Sequence, residues 1–133
     1  MMNGEEANME DFSAVVNAEV TFLSEADGGR NAMPHFNSPA PYRPHIVIQD
    51  SAIRTATYDE RGMVNERYLA VEFVGGPDSS TPGMSSKVVM RLSHFPRVDY
   101  SAVQDGATFT VREGGRIVGF GLVESRKNTG QNA

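Results

Sequence analysis

The sequence predicts an all-β protein, a compact antiparallel barrel of about six strands. Three observations point there. Short segments that alternate polar and apolar residues recur along the chain, which is the period of a half-buried strand. Thirteen glycines and seven prolines in 133 residues punctuate those segments with turns. No window has a persuasive helical stripe, and the best of them, residues 5–16, lacks a clear apolar face.

The elements follow in order. Residues 1–13 carry Glu5, Glu6, Glu10 and Asp11, no base and little apolar surface, so an acidic disordered tail is expected. In residues 17–24 (NAEVTFLS), Ala18, Val20 and Phe22 alternate with Glu19 and Thr21 as a first strand. Residues 25–29 close it with Asp-Gly-Gly, which supplies positive φ at little cost. Pro34, Pro39, Pro41 and Pro44 make residues 31–44 an irregular connection. Residues 45–50 (HIVIQD) are an apolar run fit for a buried strand, and residues 53–58 (IRTATY) alternate as a further candidate. Residues 68–74 (YLAVEFV) follow, stopped by Gly75-Gly76-Pro77. A Gly/Ser/Pro loop over 75–86 leads to residues 87–93 (KVVMRLS). Residues 107–112 (ATFTVR) and 116–125 (RIVGFGLVES) flank Gly114-Gly115, the two-residue spacing of a tight hairpin. Gly119 and Gly121 share one face of the last strand, which suggests close backbone approach in a small closed barrel. The expected core includes Val20, Phe22, Ile46, Ile48, Val89, Phe109, Val111 and Val118. Residues 126–133 read as a polar tail, leaving one domain over 14–125.

Composition narrows the function classes. The formal net charge is −5, but taking the four tail acids from the 17 acidic residues leaves 13 against 12 basic ones. A nearly neutral body argues against strong non-specific nucleic-acid binding. Ten of the 12 basic residues are Arg, so a local patch suited to phosphate stays open. There is no cysteine, which excludes disulfides and thiolate metal sites and fits a cytoplasmic protein. No apolar run approaches the roughly 20 residues of a membrane span. No phosphate loop, nucleophile elbow or zinc-protease motif occurs, and His35, His45 and His94 lack ligand spacing. A non-catalytic protein without metal, cofactor or GTP is expected.

Two blocks carry a resemblance. The first is AEVTFLSEADGGR (18–30) with YRPHIVI (42–48), and the second is GATFTVREGGRIVGFGLV (106–123). LSHFP (92–96) and Pro82-Gly83 lie between them in matching order. Together they resemble the third, C-terminal β-barrel domain of elongation factor Tu over about residues 16–124. The departures are His45 for the family's Gln, Phe120 for its Ala, and a longer 50–67 region without the T-D-V-T-G segment. The chain reads as a divergent stand-alone copy of that barrel.

The resemblance implies a binding module. In the family the matching Glu and first Gly of the E-G-G-R turn lie against the T-stem of aminoacyl-tRNA, which makes Glu113 and Gly114 candidate RNA contacts. Arg30 matches a family Arg near the same RNA and suits phosphate. His45 and His94 fall on the same family surface and would bond phosphate only when protonated. Each also has a plainer reading: Glu113–Arg116 as a hairpin turn, Arg30 in an ion pair, and the histidines as surface residues. In the full-length factor the barrel packs on a second barrel and on the GTPase domain, and those surfaces would here lie open to a new partner. The expected partner is an unknown protein, either translation machinery or a second copy. The alternatives are tRNA, or a role as one subunit of a split translation factor. The 50–67 and 75–86 segments depart most, so new function is expected there.

Overall fold

A computed structural model describes residues 12–37 and 39–129. It holds six strands: β1 (Ser13–Phe22), β2 (His45–Ile48), β3 (Leu69–Gly75), β4 (Ser85–Leu92), β5 (Thr108–Glu113) and β6 (Arg116–Thr129). They close into a barrel in the order β1-β4-β3-β2-β5-β6, and every neighbouring pair is antiparallel. Closure removes every sheet edge, so each strand finds hydrogen-bond partners on both sides. Among the described residues, no helix is long and apolar enough to cross a membrane.

Alternation fills the interior. Ala14, Val16, Ala18, Val20 and Phe22 point inward from β1 to meet Val88, Met90 and Leu92 of β4 and Phe109 and Val111 of β5. The expected core residues Val20, Phe22, Ile46, Phe109, Val111 and Val118 are buried, and Ile48 packs against them half-buried. Val89 is a correction. The register sets Val88 opposite Ala18 and Met90 opposite Val16, which turns Val89 outward. Three consecutive apolar residues hide the phase of β4 from periodicity alone.

Gly119 and Gly121 face the interior. A Cβ on Gly121 would stand 2.5 Å from the Glu19 carbonyl oxygen and 2.6 Å from the Phe109 ring. Bare backbone at this point lets β1 and β5 close on β6.

Three boundaries differ from expectation. Of the expected tail 1–13, Ser13 belongs to β1, Phe12 precedes that strand, and residues 1–11 lie outside the described residues. Residues 126–129 extend β6 and pair with β1 as far as Ser13↔Thr129. Arg126 anchors that extension: its Nη1 donates to the carbonyls of Tyr100 (2.7 Å) and Val103 (3.0 Å). The remaining residues of the polar tail, 130–133, lie outside the described residues. Residues 53–58 form no strand, and among the described residues their one β-bridge is Tyr58↔Val64.

Those residues belong to a strap, residues 49–68, that runs over the outer wall of β2, β5 and β6. The polar face of β5 therefore lies under chain instead of water. Arg112 is 0% exposed there. Its Nη1 and Nη2 donate to the two Glu66 oxygens at 2.8 Å each, Nη2 to Gln49 Oε1 (2.8 Å), Nη1 to Tyr68 Oη (2.9 Å) and Nε to Thr110 Oγ1 (3.0 Å). This fork-on-fork pairing uses all the geometric specificity of guanidinium. Further along, Arg54 lies 4.6 Å over the Phe120 ring. The bulky residue at 120 thus serves as a platform for the strap.

Candidate functional site

The sequence places a glycine turn after β1 and another between β5 and β6, and the barrel brings both to the same end. Below them, Phe22, Phe36, Tyr42 and Phe73 pack ring to ring at 5.3 to 6.3 Å and plug the interior. In the first turn, Glu25–Asp27 form one turn of 3₁₀ helix capped by Ser24, whose Oγ accepts from Asp27 N–H at 3.3 Å. Gly29 then folds back so tightly that a Cβ would lie 2.0 Å from the Leu23 carbonyl oxygen. In the second turn only Gly114 has left-handed φ (60°), at the first turn position as a II′ hairpin asks.

The two turns are tied by one carboxylate. Arg30 Nη1 donates to Glu113 Oε2 in a short ion pair. Tyr42 Oη donates to the same oxygen at 2.5 Å. Arg116 Nη2 stands 3.6 Å from Oε1. Arg30 also lies 5.0 Å over the Tyr42 ring and donates from Nε to the Ala32 carbonyl at 2.8 Å. Burial alone would raise the Glu113 pKa. The bonds from Tyr42 and Arg30 and the charges of Arg30 and Arg116 outweigh it and hold the carboxyl below its ordinary value. Burial first, and then bonding to that carboxylate, push the Tyr42 phenol far up, so Tyr42 remains a donor at any working pH.

Two grooves open beside this knot. One, of ≈ 430 Å³, is lined by Glu25, Gly28, Gly29, Arg30, Asn31, Glu113 and Arg116. The other, of ≈ 340 Å³, shares Gly28 and Arg116 and adds Asp27, Arg54, Tyr58 and Ile117 among its walls. The strap therefore supplies one side of the second groove. The lining carries three guanidiniums (Arg30, Arg54, Arg116) and three carboxylates (Glu25, Asp27, Glu113), so the surface is polar but balanced in charge. Exposed apolar side chains, Ile53, Tyr58, Met63 and Val64, sit on the strap.

The structure unites Arg30, Glu113 and Gly114, sets His45 opposite Arg112 on the neighbouring strand, and places His94 apart from them. His45 lies on the outer wall, exposed, with its ring 5.7 Å from that of Tyr68 at the edge of the strap. His94 lies beyond β4 at the opposite end of the barrel. Sequence reasoning missed Tyr42, Arg54 and Tyr58 as parts of the site. Tyr42 stands in the Y-R-P block and was legible as a motif, though not as the ligand of Glu113. Arg54 and Tyr58 reach the groove only through the path of the strap, which no local pattern encodes. No family model matches the sequence.

Because the Glu113 pKa is depressed on folding, its contribution to stability is present above its unfolded value and is lost as pH falls through the folded one. Glu66, held down first by its hydrogen bond from Arg112, acts in the same direction. Glu113→Gln is therefore expected to lower the urea midpoint at neutral pH. The gap to the parent should narrow as pH is taken below about 4, where an ordinary Glu titrates. Urea titrations across that range measure it. A gap independent of pH would mean that the charge on Glu113 contributes nothing.

Proposed function

We propose that this protein is a non-catalytic binding module similar to the C-terminal barrel of elongation factor Tu, and that it docks a protein partner at the end where its two glycine turns meet. The observation that carries this reading is the balanced groove beside an exposed apolar strap. Three guanidiniums face three carboxylates, with Ile53, Tyr58, Met63 and Val64 beside them. A surface of mixed charge with an apolar neighbour suits a protein interface, where aromatic, Met and Arg side chains are enriched. It suits a phosphate backbone poorly, because polyanion binding draws on net positive charge. The partner expected is a protein surface that offers both charge signs and an apolar contact, either a component of the translation machinery or a second copy of this chain.

A second reading, an RNA stem held as in translation, has one observation in its favour. Arg30, Glu113 and Gly114 converge, and Gly114 is exposed. Arg30, however, is already committed to Glu113. Fluorescence titration with bulk tRNA at two salt concentrations separates the readings. The protein reading expects no saturable binding that Arg30→Ala or Arg116→Ala weakens. Saturable binding at low salt, lost in both variants, would replace it with the RNA reading.

A further inference from the structure

The opposite end of the barrel carries a pocket of a different character. It measures ≈ 280 Å³ and lies where β4 ends, with Arg91, Ser93, His94, Phe95 and Arg97 among its walls. No carboxylate is among its lining residues. The loop that carries His94 and Arg97 is tied to the barrel. Buried Tyr100 donates from Oη to the Ala70 carbonyl at 2.7 Å and accepts the His94 N–H at 3.2 Å. The Val98 N–H closes the loop on the His94 carbonyl at 3.1 Å. The basic side chains thus stand on a fixed base, which lowers the ordering cost of binding a ligand.

These side chains have few partners. Arg97 is exposed and makes no hydrogen bond, ion pair or ring contact among the described residues. The His94 imidazole makes no hydrogen bond among them either. Arg91 bonds Glu72 through Nη2, but Glu72 also sits 3.5 Å from Arg43 Nε, so one carboxylate serves two guanidiniums. Asp99, two residues past Arg97, accepts the Ser101 N–H at 2.9 Å and lies near Arg67 and Arg126. Among the described residues the pocket is therefore cationic, in contrast to the balanced grooves at the other end. We propose that it binds the phosphate group of a phosphate monoester, held by the guanidiniums of Arg91 and Arg97. Guanidinium forks match phosphate oxygens in pairs. A monoester offers three free oxygens and nearly two charges, where a nucleic-acid diester offers two oxygens and one charge. Ligand pockets usually measure about 300–1,000 Å³, so this one takes the phosphate and leaves most of the ligand outside.

The test follows amide signals of the full chain at constant ionic strength. The probes are inorganic phosphate, glycerol 3-phosphate, and a neutral peptide with one phosphoserine, beside its unphosphorylated form. Signals of Ser93, His94, Phe95 and Arg97 should shift and saturate with a Kd of about 1 mM or tighter, the level that two or three charge-assisted hydrogen bonds reach. Gly114 and Arg116, at the other end, should not move. Arg97→Ala should weaken binding about tenfold, and Arg97→Lys should recover only part of that, since an ammonium cannot fork. Arg97 is exposed, so both variants should keep the parent's amide spectrum away from the pocket. Saturation by the small phosphates identifies small phosphorylated molecules as sufficient ligands, and saturation by the phosphopeptide alone identifies a phosphorylated protein as the source. No saturable shift with any of the three phosphates, or a Kd that Arg97→Ala leaves unchanged, would overturn the proposal.

Discussion

Replacing Glu66 with alanine is expected to cost about 3–5 kcal/mol of stability, the usual loss when one member of a buried ion pair is removed. Arg112 is 0% exposed and Glu66 5%. Without Glu66 the guanidinium keeps Gln49, Tyr68 and Thr110 as neutral acceptors but loses the one counter-charge it has among the described residues. Small domains have about 5–15 kcal/mol in total, so this is a large share. With a urea slope of about 2 kcal/mol per molar, the midpoint should fall by about 2 M. Glu66→Leu combined with Arg112→Met should recover most of the loss, because an apolar pair of similar volume avoids the desolvation of two charges. The groove should respond too. Arg54 and Tyr58 reach their positions through the strap that Glu66 pins, so Glu66→Ala should raise amide exchange at residues 50–65 beyond the change in global stability. A midpoint within about 0.5 M of the parent would mean that the strap is held by something else.

Gly121→Ala is the second large effect. The added Cβ would meet the Glu19 carbonyl oxygen at 2.5 Å and the Phe109 ring at 2.6 Å and 3.0 Å. Ring and backbone differ in what they can yield. Phe109 is fully buried and can shift only by disturbing its neighbours, while the Glu19 carbonyl belongs to the β1–β6 ladder itself. Overpacking of this kind is expected to cost about 3 kcal/mol. Phe109→Leu in the same chain relieves the ring contact but not the carbonyl, so it should restore only part of the loss. Thermal or urea unfolding decides the matter, and an unchanged stability would mean that β1 and β5 do not approach β6 as closely as the barrel requires.

Much of the fold was legible because barrel strands leave local traces. Alternation marked Ala18, Val20 and Phe22 as one face, Gly114-Gly115 announced the β5–β6 hairpin, and the Gly119/Gly121 pair pointed to closure. The failures have a common cause, since each depended on contacts distant in sequence. Val89 was assigned to the core because three apolar residues in a row carry no phase; only pairing with β1 sets it. Residues 126–129 looked like a tail because their anchoring comes from Arg126 reaching the carbonyls of Tyr100 and Val103. Nothing local marks Arg112 as buried, and it is buried because Glu66, 46 positions away, returns over it. The candidate site divides in the same way. Arg30, Glu113 and Gly114 were readable from two motifs and do converge, while His94 lies at the opposite end of the barrel.

The most direct test of a docking surface at the glycine-turn end is site-specific photo-crosslinking in the producing cells. A photoreactive residue at Asn31, beside the first groove, or at Met63, on the strap, is compared with one at Gln104 at the far end. The expected result is discrete adducts from Asn31 and Met63, destroyed by protease and resistant to ribonuclease, with none of the same adducts from Gln104. Adducts of equal identity and yield from all three positions, or ribonuclease-sensitive adducts at Asn31, would contradict a protein partner bound at that end.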